Sequence, residues 1–183
     1  MTLTLRPAVA ADAVALAALY GHHVIHGVGT FEEASPTPEE MAMRLAAVQG
    51  RGLPYLVAEA DGAVAAMAYA APFRLRAAYR YTVEDSVYVA PTHQGQGVGK
   101  AVLGQVIRTC EAMGLRQMLA VIGDSGNAGS VGVHTSLGFR HAGVMQGVGF
   151  KHGRWLDVVV MQLALNGGAE GAPTAEGLNL SGV

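Results

Sequence analysis

The chain has 183 residues, 51% of them hydrophobic and 14% charged, with a formal net charge of −2 and one cysteine. That length and apolar content suffice for one substantial core and hence one domain; the lack of a basic stripe argues against a nucleic-acid surface, and a lone Cys110 excludes an internal disulfide. The longest apolar run, residues 63–71, is too short for a bilayer, and residues 1–20 lack an apolar block with a cleavage site, so the expected location is the cytoplasm.

Thr2-Leu3-Thr4-Leu5-Arg6 alternates and predicts an opening strand. Asp12 is placed to cap a helix running through Tyr20 to about His23. A second helix starts at Thr37, with Pro38 at its first position and Glu40 at its third, which is a capping box with a proline where its missing N–H costs nothing. Met41, Leu45 and Val48 form its buried stripe. Residues 55–60 and 63–71 read as two strands joined by Asp61-Gly62, a strong hairpin signal. A loop over residues 72–80 leads to a strand over 82–89, in which Val83, Asp85, Val87 and Val89 face one side and Glu84, Ser86 and Tyr88 the other. The helix over 97–113 carries Val98, Val102, Val106 and Cys110 on its core side and stops at Gly114. Residues 118–122 make a short, fully apolar strand suited to the middle of a sheet. A short helix runs from Asn127 to Ser136, and final strands at about 139–148 and 155–164 flank residues 149–154. Residues 166–183 have no apolar period and are expected to be a disordered tail, which leaves 1–165 as the domain.

The 82–89 strand runs straight into Ala90-Pro91-Thr92-His93 and then Gln94-Gly95-Gln96-Gly97-Val98-Gly99-Lys100. Glycines at 95, 97 and 99 leave backbone N–H groups unscreened at a helix start, where their partial positive charge suits a phosphate or pyrophosphate. A P-loop is excluded because Ala101, not Ser or Thr, follows Lys100. A dinucleotide fingerprint is excluded because Gly97 and Gly99 are too close and the downstream acidic residue is missing. The patterned helix that follows argues against a mere flexible linker.

Several polar residues surround that turn in the predicted order of elements. Glu84, just before it, could accept a proton from an amine directly or through a water; its other reading is a charge at a solvated strand end. Asn127, Ser130 and His134 share one face of the short helix, with His134 able to exchange a proton with a leaving thiolate or a nucleophile, or simply to meet water. Arg74 and Arg76, in the loop with Leu75 and Tyr79, suit a carboxylate or another oxyanion. His22, His23 and His26 lack a cysteine or carboxylate partner at metal-ligand spacing, so no metal is expected. Lys151 and His152 read as pocket-rim residues.

Gln94-x-x-Gly97-x-Gly99 after a Val87-Tyr88-Val89 strand, with Asn127 and Leu137-Gly138-Phe139 downstream, resembles the GNAT superfamily of acyl-CoA-dependent N-acetyltransferases. Residues 79–89, Val121-Ile122-Gly123-Asp124 and Gly149-Phe150-Lys151-His152-Gly153-Arg154-Trp155 narrow it to a group similar to phosphinothricin and methionine sulfone/sulfoximine acetyltransferases, over about residues 2–164. The resemblance implies an α/β (α+β) fold with a mixed central sheet of about seven strands flanked by about four helices. It implies acetyl-CoA as co-substrate, with pyrophosphate on Gly95, Gln96, Gly97, Val98, Gly99 and Lys100 beside Gln94. The pantetheine arm would pair with the backbone of Val87, Tyr88 and Val89 and meet Asn127 and Ser130.

By the same resemblance Glu84 is the catalytic or amine-binding glutamate, and Arg74 and Arg76 hold the substrate's acidic end, with Phe31, Leu75 and Tyr79 lining its pocket. His134 stands where many members carry a tyrosine general acid. Thr135 and Gly132 depart from the common glutamate and arginine, and Gly129 and Gly132 weaken the short helix. The expected reaction is acetyl transfer to the α-amine of a small amino-acid-like substrate in a ternary complex, by a cytoplasmic homodimer without nucleic-acid or membrane partners. The alternatives are acetylation of a peptide or protein N-terminus or another amine, and a non-catalytic acyl-CoA sensor. A polyamine acceptor is disfavoured by Arg74 and Arg76.

Overall fold

The structure is a computed structural model that describes residues 2–180. Seven strands, β1 (Leu3–Pro7), β2 (Tyr55–Ala60), β3 (Ala63–Pro72), β4 (Thr82–Val89), β5 (Gln117–Gly123), β6 (Arg140–Lys151) and β7 (Arg154–Ala164), form one sheet in the order β1-β2-β3-β4-β5-β7-β6. Every neighbouring pair is antiparallel except β4 and β5, which are parallel. Four helices, α1 (Ala13–His26), α2 (Pro38–Gln49), α3 (Val98–Ala112) and α4 (Ala128–Ser136), complete the mixed architecture expected from the sequence.

Strand alternation sorts the core into two layers. On one face Val83 of β4, Ala66 and Ala68 of β3 and Met118 of β5 meet Val102, Leu103, Val106 and Cys110 of α3. On the other, Met67 and Tyr55 meet Leu16, Tyr20 and Val24 of α1 and Met41 and Leu45 of α2. The β2–β3 hairpin turns at Asp61 and Gly62, whose φ values of 50° and 85° are those of the tight turn that the Asp-Gly pair predicts.

Local chemistry differs from expectation in four places. Asp12 stands at the N-cap of α1 but makes no capping bond there: its carboxylate accepts from Arg6 at 2.8 Å and from the Val9 N–H at 2.8 Å, because a salt bridge and a preceding turn reach it first. Thr37 accepts from the Glu40 N–H at 3.2 Å, but Glu40 turns to Arg44 rather than back to Thr37, so only half of the capping box is made. β6 continues through Gly149 and Phe150 to Lys151, and His152-Gly153 alone make the turn to β7. Finally, residues 166–180 lack regular structure yet lie against the domain: Leu178 is buried in the α3-side core, its N–H donates to the Arg80 carbonyl at 2.7 Å, and Tyr81 Oη donates to the Ala175 carbonyl at 2.8 Å. Composition predicts disorder there because it counts residues, whereas a few leucines and carbonyls suffice for docking. Residues 181–183 of that segment lie outside the described residues.

Candidate active site

The two central strands part company. β4 and β5 pair from Thr82↔Gln117 to Asp85↔Ala120, and no further. Beyond that point β4 stays on β3, as far as Ala66↔Val89, while β5 follows β7 to Gly123↔Val158. The sheet therefore forks, and among the described residues β4 has no strand partner on its β5 side from Ser86 to Val89. A cavity of about 710 Å³ fills the fork, bounded by Val87, Tyr88 and Val89 on one arm, Ala120, Val121 and Ile122 on the other, and α4.

The glycine turn closes the cavity's mouth. Gly95 and Gly97 have φ values of 73° and 79°, a conformation that L side chains adopt at a cost, and a Cβ on either would meet nothing within 4 Å. Gly99 is glycine for a different reason from the one its spacing implies. It is buried, and a Cβ there would fall 3.0 Å from Cγ2 of Val89, so it lets α3 pack closely on β4. The first helical bond of α3 is Ala101 N–H to the Gly97 carbonyl, so the amides of Val98, Gly99 and Lys100 precede the ladder and point out of its N-terminus. Gln94, Gly95, Gly97, Val98, Gly99 and Lys100 all border the cavity, whereas Gln96 turns aside to donate to the Thr92 carbonyl at 2.8 Å.

On the far wall, Asn127 and Ser130 border the cavity and are tied together, Asn127 Oδ1 accepting from the Ser130 N–H at 3.1 Å as the N-cap of α4. The predicted shared face of Asn127, Ser130 and His134 thus holds, but Asn127 spends its oxygen on the helix. His134 also borders the cavity and is buried. Its Nδ1 lies 2.7 Å from the Ser130 carbonyl, and its Nε2 lies 2.9 Å from Oδ2 of Asp85. Burial works against the imidazolium, but the bond and charge of Asp85 outweigh it and raise the His134 pKa; burial likewise raises that of Asp85.

Glu84 is placed elsewhere. It shares the face of Ser86 and Tyr88, opposite Asp85 and His134, and is half-buried without bordering the cavity. Burial pushes its carboxyl up, the positive charge of Arg74 opposes this, and Asp85 adds to it. The two candidate proton-handling groups therefore flank the strand rather than share one pocket. Arg74 lies within electrostatic reach of Glu84, with its guanidinium 4.3 Å from the Phe73 ring, whose edge meets Tyr79 at 5.5 Å. Leu75 and Arg76 are exposed in the same loop. Arg74 thus lies near Glu84, and none of Arg74, Leu75, Arg76 and Tyr79 borders the cavity.

Phe31 comes from the loop between α1 and α2. Its ring lies against two strand glycines: a Cβ on Gly149 would fall 2.2 Å from Cε2, and one on Gly123 3.1 Å from Cε1. The loop is held by Tyr20 Oη, 2.8 Å from Thr30 Oγ1 and 2.8 Å from Glu32 Oε1, and by the buried Lys151, whose Nζ donates to the Thr30 carbonyl at 2.9 Å. Arg44 completes it with bonds of 2.8 and 3.0 Å to the Glu32 carboxylate. His152 Nε2 donates to the Gly27 carbonyl at 3.2 Å, so both expected rim residues fasten this loop.

Residue-by-residue reasoning missed two participants. Asp85 was assignable to the core-facing side of β4, and a carboxylate among valines at such a place requires a partner. His23 borders the cavity and donates from Nε2 to the Val89 carbonyl at 2.9 Å; burial lowers its pKa, against the opposing pull of that hydrogen bond. Among the described residues no group of three or more His, Cys, Asp and Glu side chains is arranged to hold a metal, and no helix is long and apolar enough to cross a membrane.

With this geometry in place, residues 24–139 match the family model described as acetyltransferase (GNAT) family. The phosphinothricin N-acetyltransferase of Alcaligenes faecalis is 52% identical over 157 residues, which cover 86% of this chain and 80% of that protein. An L-methionine sulfoximine/L-methionine sulfone acetyltransferase of Salmonella typhimurium is 39% identical over 164 residues, 90% of this chain and 95% of that protein. The crystal structure of a GNAT superfamily phosphinothricin acetyltransferase from Sinorhizobium meliloti in complex with acetyl-CoA superposes with a TM-score of 0.91 at 47% identity, covering 95% of this chain and 94% of that one.

Proposed function

The chain belongs to the acetyltransferase (GNAT) family, and from that premise we propose that it moves the acetyl group of acetyl-CoA to the α-amine of a small amino-acid-like substrate of the phosphinothricin, methionine sulfoximine or methionine sulfone type. One observation carries the reading. The fork leaves the β4 edge from Ser86 to Val89 without a strand partner, beside a helix N-terminus whose Gly95 and Gly97 hold left-handed backbone. An extended pantetheine arm can add to that edge as a strand would, with its diphosphate on the amides of residues 97–100.

The reaction then follows from what flanks the fork. Arg74 and Arg76 hold the acidic end of the substrate, with Phe31, Leu75 and Tyr79 around it. Glu84, its carboxyl pushed up by burial, takes the proton that an α-ammonium must lose before attack, directly or through a water. The neutral amine attacks the thioester carbonyl while N–H groups of residues 87–89 meet the oxyanion. As the tetrahedral adduct collapses the C–S bond breaks, His134 supplies the proton to sulfur, and the second proton of the attacking nitrogen passes through water to reload His134. The products are the N-acetyl amino acid, coenzyme A as the thiol, and one proton passed to solvent.

The same reading places the enzyme in the cytoplasm, where the buried Cys110 thiol suits reducing conditions, and makes it a homodimer. In support of the dimer, β6 is an edge strand bearing exposed Val144, Met145, Val148 and Phe150, with Trp155 of β7 67% exposed beside Phe150. An apolar strand edge of that kind favours a second copy over water. The deciding assay follows thiol release from acetyl-CoA with methionine sulfoximine, methionine sulfone, phosphinothricin, spermidine and a short peptide. Turnover with the first three supports the proposal, and turnover with the peptide alone overturns it. Light scattering during gel filtration reads the dimer; a monomer at micromolar concentration refutes it.

A further inference from the structure

The hydrogen bonds of His134 constrain its protons more tightly than its position does. A carbonyl only accepts, so the Nδ1 that lies 2.7 Å from the Ser130 carbonyl carries a proton. The Nε2···Oδ2 contact of 2.9 Å to Asp85 then also needs a proton, because two lone pairs would otherwise face each other. That proton belongs to the pair, as imidazolium with carboxylate or as imidazole with carboxylic acid. The side chains are only 3% and 1% exposed, so bulk water does not compete for it. Asp85 Oδ1 is buried with no hydrogen-bond partner among the described residues, and both side chains border the cavity in the fork. Asp85 is also the last residue of β4 paired to β5, so the proton is stored at the apex of the fork.

We propose that Asp85 is a positioning residue that keeps His134 loaded with a second ring proton and holds it at the fork's apex, ready to protonate the departing thiolate. This rests on the acetyl-transfer reading above. As the C–S bond breaks, sulfur takes the bonding electrons and the stored proton. The pair is left transiently as Asp85 carboxylate and neutral His134 with its proton on Nδ1, a state with two lone pairs facing each other that is discharged when the second proton of the adduct's nitrogen reaches it through the cavity. The unpartnered Oδ1 serves as an acceptor for a donor arriving in the cavity.

The titratable groups facing the pair do not oppose this. Cys110 on α3 has its thiol pushed up to about 12, mainly by burial with Asp85 contributing, and stays neutral. Glu84 projects from the opposite face of β4, and α4 contributes the uncharged Ser130. Phe139 presents its ring to His134 edge-on at 4.9 Å. Both members of the pair have raised pKa values, which favour retention of the proton.

The isosteric Asp85→Asn change tests it, because the amide can still donate to Nε2 but leaves the imidazole neutral. Imidazole nitrogen NMR of the full-length wild type should show both His134 nitrogens still protonated at a pH above the ordinary imidazole value near 6.5. Asp85→Asn should show Nδ1 alone protonated, bind acetyl-CoA within about threefold of wild type, and lose about ten- to a hundredfold in kcat. The alkaline fall of kcat should move to lower pH. A wild-type His134 that titrates near 6.5, which needs no variant, overturns the proposal. So does an Asp85→Asn enzyme with a neutral His134 and an unchanged kcat and pH profile. Wild type that releases no thiol with any amine overturns the acetyl-transfer reading instead, and the NMR result still stands or falls separately.

Discussion

Replacing Gly149 by alanine should expose how Phe31 is held. A Cβ at 149 would fall 2.2, 2.5 and 2.9 Å from Cε2, Cδ2 and Cζ of Phe31, where ordinary contact begins at 3.4 Å. The ring must therefore retreat by about an ångström or leave its slot, since β6 is fixed to β7 at Gly149↔Leu156. Overpacking of this kind costs about 1–3 kcal/mol. Because Phe31 is already 37% exposed, expulsion caps the cost at part of the roughly 1.5–3 kcal/mol that full burial of such a side chain is worth. Restricting the unfolded chain by losing a glycine returns about 0.4–1 kcal/mol. The net expectation is destabilisation of about 1 kcal/mol by urea unfolding, with the KM for the amine rising about tenfold and that for acetyl-CoA unchanged. In a Phe31→Ala background the same change should be neutral or mildly stabilising. Additivity of the two substitutions within about 0.5 kcal/mol would refute a direct clash and with it the glycine slot.

Glu84→Gln should lower kcat by about two to four decades while acetyl-CoA binding by calorimetry stays near wild type. Because the Glu84 carboxyl is raised, wild-type kcat/KM should fall as pH drops through a value above the ordinary glutamate near 4.3, and that acid limb should vanish in the variant. Gly97→Ala forces a side chain into left-handed backbone at a cost of about 1–2 kcal/mol and should weaken acetyl-CoA binding, whereas Gly132→Ala, with no neighbour within 4 Å, should raise the free energy of unfolding by the roughly 1 kcal/mol that alanine gains in a helix. Leu178→Ala should cost about 2–4 kcal/mol by the same unfolding assay if the C-terminal segment is docked as described, and nothing if it is free in solution.

What the sequence made legible is what short-range periodicity encodes. The alternation in β4, the stripe of α3, the Asp61-Gly62 turn and the helix start at Asn127 each follow from residues within one element, and each is found. The cofactor turn was legible because its glycines are local too, although spacing alone does not separate the left-handed Gly95 and Gly97 from the close-packed Gly99. The fork itself was not legible. It depends on β5, paired to β7 along its whole length, parting from β4 beyond Ala120, and strand pairing at that separation leaves no periodic trace. For the same reason Asp85–His134, Lys151–Thr30 and Phe31–Gly149 appear only when distant segments meet. The tail failed differently: its Gly, Ala and Glu content says it cannot build a core of its own, which is true, but not that Leu178 cannot join an existing one.

The fork also has a buried polar pair at its apex. Separating two central strands forfeits backbone hydrogen bonds along the β4 edge from Ser86 to Val89, a loss that water must otherwise cover. At the apex the bond between Asp85 and His134 ties α4 to the last residue of β4 that is still paired to β5, and each buried polar group satisfies the other. His23 acts at the open end by satisfying the Val89 carbonyl from α1. An extended ligand that pairs with the exposed amides would complete the sheet, so binding of acetyl-CoA should protect the amides of residues 86–89 from hydrogen exchange more than those of β2 or β7, which already have partners on both sides.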